Sequence, residues 1–224
     1  GKSIARDFRP PSAGLPSDDT LRAVLDRTNE NRRKNNQPDV TMDDIRETYG
    51  HFYRAMMQEI HGTLSELDTR FPALAGADVE ISGFVWFQGW NDQYETYEQE
   101  YASNMAHFIR DVRADLGAPE LPFVIGVMGQ NGSQPARGAM AVIQDAQISM
   151  ESIPEFAGNV RAVRTDALVD TAAEALYPEW KERTDEWDRV GSDHPYHYLG
   201  SAIWFTRIGH ALAEATLDLM PDGS

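Results

Sequence analysis

The sequence predicts an α/β protein, a parallel sheet with helices on both of its faces. Three observations carry this expectation. Short apolar runs rich in β-branched and aromatic residues stand at 79–87 and 121–128, and a third short strand is expected at 160–165. Stretches with apolar residues every three or four positions lie between and after them. Their order is strand, helix, strand, helix, strand, loop, helix, the alternation that builds parallel sheets. At 224 residues the chain suits one domain, residues 1–224, with a sizeable core.

Taken in order, residues 1–16 hold Arg9-Pro10-Pro11-Ser12-Ala13-Gly14-Leu15-Pro16, a loop that can be neither helix nor central strand. Ser17 can cap a short helix through Leu21, Val24 and Leu25, with a polar linker expected from Asn29 to Gln37. Thr41-Met42-Asp43-Asp44 opens a long helix with a capping-box acid. In it Ile45, Tyr49, Phe52, Met56, Ile60, Leu64 and Leu67 form one inward stripe, and His51 and His61 fall outside it. After the strand Val79–Phe87, a helix carries Tyr94, Tyr97, Tyr101, Met105, Phe108 and Val112 and stops at Gly117 and Pro119. Leu121–Met128 is a second, buried strand. A third helix spans Pro135 to Ile153, a third strand Val160 to Thr165, and residues 166–199 are largely irregular. The last helix runs from Gly200 to Met220 with Ile208, Leu212, Ala215 and Leu219 inward. Three strands make a thin sheet for so many helices.

Composition excludes several function classes. A net charge of −16 argues against nucleic acid, whose phosphates need clustered Lys and Arg. No apolar run reaches the roughly 18 residues of a membrane span. With no cysteine, disulfides, thiolate metal sites and a cysteine nucleophile are ruled out.

Two stretches carry chemistry. The first is Gly83-Phe84-Val85-Trp86-Phe87-Gln88-Gly89-Trp90-Asn91-Asp92, a strand that ends in polar side chains. In open α/β sheets ligands sit at that end, and amides such as Gln88 and Asn91 can donate to a forming oxyanion. The same residues also suit a buried strand end with an Asx turn. The second stretch is Gly191-Ser192-Asp193-His194-Pro195-Tyr196-His197-Tyr198-Leu199-Gly200. An acid and a histidine on one loop can form the orienting half of a hydrolase triad. Two alternatives stand beside this: histidines that serve the loop and the helix cap, and a His-x-x-His zinc pair. No HExxH motif or cysteine supports the zinc pair.

Gly89-Trp90-Asn91-Asp92 resembles the Gly-x-Asn-Asp block of the SGNH (GDSL-type) hydrolases. Trp86-Phe87-Gln88-Gly89 resembles the W-x-Q-G block of their sialate O-acetylesterase-like branch, similar to carbohydrate esterase family six. That branch usually has Glu after the glycine, where this chain has Trp90. Gly1-Lys2-Ser3 is similar to the end of the branch's second block, and Asp7-Phe8-Arg9-Pro10-Pro11-Ser12 to the segment just after that block. Tyr196–Ala202 is similar to its histidine region. The resemblance implies a three-layer αβα sandwich of SGNH or flavodoxin-like type and a serine esterase that removes O-acetyl groups from carbohydrates. It implies a secreted or periplasmic bacterial protein and needs no cofactor or metal. His197 would be the general base and Asp193 its orienting acid, although the pair is one residue wider than the superfamily's Asp-x-x-His; His194 is the reserve. Asn91, Gln88 and the Gly1 N–H would be oxyanion donors.

The nucleophile belongs to an early Gly-x-Ser block, and no serine of this chain stands in one. Gly129-Gln130-Asn131-Gly132-Ser133 looks similar but comes after the wrong strand. The expectation is therefore a companion N-terminal segment that carries the serine and the sheet's first strands. The expected partner is an acetylated carbohydrate, with Trp90, Trp180 and Trp187 as a sugar-stacking wall. Arg9 has two readings, a bidentate contact to an acidic sugar and a loop salt bridge, the second favoured. Two rival functions remain: a carbohydrate-binding protein without turnover on the same scaffold, and an esterase for non-sugar esters.

Overall fold

The computed structural model describes residues 1–220. Its sheet has three strands, β1 (Phe84–Trp86), β2 (Phe123–Val127) and β3 (Val160–Arg164), in the order β1-β2-β3. Both pairings are parallel, with Phe84 opposite Phe123 and Phe123 opposite Val160. All three carboxyl ends therefore open on one side of the molecule, as the alternation predicts. Nine α-helices surround the sheet among the described residues: α1 (Asp18–Lys34), α2 (Met42–Thr48), α3 (His51–Ser65), α4 (Leu67–Arg70), α5 (Tyr101–Asp115), α6 (Ala139–Ser149), α7 (Thr171–Leu176), α8 (Thr184–Trp187) and α9 (Ala202–Leu219). None of them is long and apolar enough to cross a membrane.

Side chains on β2 alternate between two cores, because successive residues of a strand face opposite ways. Phe123 and Ile125 pack with Tyr53 and Met57 of α3, Met105 and Phe108 of α5 and Ile143 of α6. Val124 points the other way, to Trp204, Ile208 and Leu212 of α9 and to Trp187 and Tyr198. The central strand is thus apolar throughout, and all five of its residues are buried. A small third core joins Leu21 and Val24 of α1 to Ile45 and Tyr49.

Several boundaries differ from the sequence expectation, each for a local reason. The first strand begins at Phe84, not Val79: Phe84 N–H donates to the Pro122 carbonyl, and Pro122 has no N–H with which to extend the ladder. The single long helix after Thr41 breaks at Tyr49-Gly50. Gly50 has φ +69°, and a Cβ there would lie 2.7 Å from the Arg9 carbonyl oxygen. The chain between Arg6 and Arg9 crosses at this break: Gly50 N–H donates to Arg6 O and Phe52 N–H to Asp7 O. The inward face of α3 accordingly turns to Tyr53 and Met57.

Ser17 does cap α1, but the helix runs on to Lys34 through most of the expected linker. Buried Asn29 exchanges two hydrogen bonds with the Val40 backbone, and Arg32, Arg33 and Lys34 suit the negative end of the helix dipole. Helix α5 starts at Tyr101, which leaves Tyr94 exposed, and α6 starts at Ala139, after Gly138 at φ +58°. Within 166–199 the short helices α7 and α8 form, the first capped by Asp170. Ser201 caps α9 through the Trp204 N–H.

Candidate active site

The carboxyl end of β1 runs into a turn, Trp90–Gln93, whose anchor is Asp92. Asp92 is fully buried, and its carboxylate accepts the N–H groups of Ile4 and Ala5 (both 3.0 Å) and the Gln88 amide (2.6 Å). Burial outweighs these donors and pushes its carboxyl up to about 6. The effect is to bind residues 1–5 to the strand end. Gln88 does the same from the other side, donating to the Lys2 carbonyl at 2.7 Å. Both amide hydrogens of Gln88 are therefore spent on protein acceptors.

Asn91 is different. Its side chain lines the cavity at the strand ends, and no hydrogen bond engages its amide among the described residues. Gly1 is held against it, so close that a Cβ on Gly1 would collide with Asn91 Oδ1. A side chain at position 1 would have to push the Asn91 amide aside. The cavity, about 160 Å³, is walled by Gly1, Gln88, Trp90, Asn91, Gln130 and Tyr198, among others.

Buried side chains fix these strand ends. Gln147 of α6 accepts from Met128 N–H (2.9 Å) and donates to the Gln88 carbonyl (2.8 Å) and to the Tyr101 hydroxyl (3.0 Å). Gln144 donates to Met128 O and Asn131 Oδ1. One helix thus clamps β1 to β2 at the cavity floor. Sequence reasoning missed Gln144 and Gln147, whose one signal is that they are two amides on an otherwise apolar helix face. Gln130 was also missed, and its Oε1 is buried without a partner at the cavity.

The second predicted cluster forms a tight loop before α9. His197 Nδ1 lies 2.8 Å from Asp193 Oδ2, and the other carboxylate oxygen of Asp193 accepts the His194 N–H at 2.7 Å. The His194 N–H and then His197 hold the Asp193 carboxyl below its ordinary range. Immediately after His197 the backbone is left-handed at Tyr198 (φ +55°), Leu199 (φ +59°) and Gly200 (φ +59°). The reversed chain lets Leu199 O accept from the Ser192 and Asp193 N–H groups, which closes the loop. Tyr198 plugs it from below: its buried hydroxyl accepts from Gly129 N–H and meets Thr165 Oγ1, and burial pushes it up to about 12.

Aromatic contacts bring the two clusters together. Trp90, next to Asn91, packs on Tyr196 at 6.1 Å between ring centroids, and Tyr196 packs edge-on against His197 at 4.6 Å. Phe87 meets Tyr198 at 5.3 Å. The cavity wall includes Tyr198; His197 is not part of that wall and reaches it only through Tyr196 and Trp90, with its side chain 64% exposed. His194 is placed elsewhere, its Nδ1 on the Tyr177 hydroxyl and its face on Tyr196.

One expectation fails here: Trp187 is buried in the α9 core and cannot join a stacking wall. Arg9 follows its favoured reading as a loop salt bridge, buried and bound to Glu100, Ala5 O and Gly14 O. Ser133 N–H donates to Glu174.

A parallel α/β sheet with an unengaged amide at one strand end and an acid–histidine pair before the last helix fits the SGNH-like class of hydrolases. The family model described as carbohydrate esterase, sialic acid-specific acetylesterase (SASA) matches residues 40–175, over half of the chain. The chain belongs to this family, whose activity is that of carbohydrate esterases. The matched span holds Gln88 and Asn91 and stops short of Asp193 and His197. No curated protein and no solved structure matches the chain.

Proposed function

We propose that the protein is a serine esterase that removes O-acetyl groups from carbohydrates through an acyl-enzyme, on a three-layer αβα sandwich. The observation that carries the reading is the Asp193–His197 pair, locked by its loop and seated through Tyr196 against the Asn91 turn. Asp193 fixes Nδ1 of the imidazole, which leaves Nε2 as the base. A serine hydroxyl attacks the acetyl carbonyl while His197 takes its proton. The oxyanion forms against the Asn91 amide and the Gly1 N–H. As the intermediate collapses, His197 protonates the departing sugar oxygen, and water then hydrolyses the acetyl-enzyme by the same route. Gln88 and Asp92 act as braces that hold Gly1 in place.

No serine lines the cavity among the described residues, and Val85 and Phe87 leave the free edge of β1 apolar and exposed. Both support a companion segment that brings the nucleophile and covers that edge. The test is to treat the full-length protein with a serine-directed fluorophosphonate and map the labelled peptide, alongside acetate release from acetylated sugars. One labelled serine outside residues 1–224, with acetate release abolished, is expected. Acetate release that survives complete labelling, or no release from any acetylated sugar, overturns the proposal.

A further inference from the structure

His197 is an exposed base, tied through Nδ1 to Asp193. One hydrogen bond fixes one atom of the imidazole and leaves the plane of the ring to be set by packing. That packing comes from Tyr196, edge-on with its centroid 4.6 Å away. Tyr196 is itself 42% exposed, so its ring needs a support of its own. Trp90 touches it from the Asn91 side at 6.1 Å, and the His194 imidazole stacks on it at 5.2 Å, 23° from parallel. We infer that His194 is a positioning residue: anchored on Tyr177, its imidazole holds the Tyr196 ring against His197 and so sets the direction of the base. The inference rests on the esterase reading above and adds to it a residue that acts on the base rather than on the substrate.

The backbone of His194 has tasks of its own. Its N–H donates to Asp193 Oδ1, and its carbonyl accepts from the His197 and Leu199 N–H groups. None of these bonds needs an imidazole. The side chain makes a separate set of contacts. Its Nδ1 lies 2.6 Å from the Tyr177 hydroxyl, a pairing open to either tautomer because a hydroxyl both donates and accepts. The rings of Tyr177 and Trp180 meet the imidazole edge-on, with centroids 6.0 and 6.1 Å away. Tyr177 in turn packs at 5.6 Å on Trp187, which is buried in the α9 core. Rings are thus in contact all the way from the core to the base: Trp187, Tyr177, His194, Tyr196, His197.

Other roles fit His194 less well. As the base it would need an acid on its ring, yet the two Asp193 oxygens take His197 Nδ1 and the His194 main-chain N–H. As a ligand contact it would need an open face, yet its ring is half-buried among Tyr177, Trp180 and Tyr196. Positioning suffices to matter, because a reacting group displaced by about 1 Å can lose about 10²-fold in rate. Trp90 still supports Tyr196 when His194 is removed, so the loss should be a part of that.

The experiment uses the full-length protein and two readouts, p-nitrophenyl acetate kinetics and the NMR cross-relaxation between the ring protons of Tyr196 and His197. His194→Ala should lower kcat about five- to twentyfold and leave KM within about twofold, since the base is turned and no binding contact is lost. His194→Phe keeps a ring on Tyr196 and should restore most of the rate. Tyr177→Phe, which removes one oxygen and keeps the packing, should lower kcat about two- to threefold. In a His197→Ala background, His194→Ala should bring no further loss, because a residue that acts through the base has no effect without it. The cross-relaxation should weaken in His194→Ala and return in His194→Phe. A contact that depends on His194 in a protein without turnover supports the positioning and counts against the esterase reading instead. A Tyr196–His197 contact unaltered in His194→Ala overturns the inference, as does a loss of kcat that persists in full without His197.

Discussion

Gln88 and Asn91 are amides three residues apart, and their surroundings give them different roles. Gln88 donates both hydrogens to protein, whereas Asn91 keeps its amide for the cavity. Asn91→Ala should lower kcat on p-nitrophenyl acetate by about 10²–10³ with little change in KM, since an oxyanion donor acts in the transition state. Gln88→Ala should instead loosen residues 1–5, seen as faster amide exchange at Ile4 and Ala5. Asp92 sets a pH dependence. Its folded value, about 6, stands above the ordinary carboxylate value of 3.8, so the folded state holds the proton more tightly than the unfolded chain. Stability from this group is complete below the ordinary value and declines as pH rises to about 6. The unfolding free energy of wild type minus that of Asp92→Asn should therefore fall between pH 4 and 6, by on the order of a few kcal/mol. Urea titrations that show this difference constant or rising would refute the assignment.

Among the elements, the loop Asp193–Gly200 depends on a backbone few sequences tolerate. Gly200→Ala forces a side chain into the left-handed region, at roughly 1–2 kcal/mol, and drives its Cβ into Ser192 Oγ. The variant should melt earlier and lose kcat through a displaced His197, whereas Gly14→Ala, left-handed but with open space around it, should show only the conformational cost. The strand β2 was legible in the sequence because a continuous apolar run survives any packing, and β3 because its valines stand in a short run bounded by turn residues. So was the Asp193–His197 pair, because an acid four residues before a histidine is a local pattern. The break at Gly50 was hidden, since periodicity continued across a glycine that only the crossing of Arg6–Arg9 requires. Gln147 was hidden as well, because an amide's partners lie 19 and 59 residues away along the chain.

For the whole molecule, the fold serves to bring two distant segments to the carboxyl ends of one sheet. Gln147 clamps β1 to β2, Tyr198 ties the histidine loop to the ends of β2 and β3, and Trp90 meets Tyr196 between the two halves. Buried polar groups thus hold the geometry on which the proposed chemistry depends. The most direct measurement is kcat/KM for p-nitrophenyl acetate in the full-length protein, wild type against His197→Ala and His194→Ala. The account predicts a loss of at least about 10³-fold for His197→Ala and a far smaller one for His194→Ala, since triad members act as a unit. A His197→Ala variant that hydrolyses the ester at near the wild-type rate would contradict it.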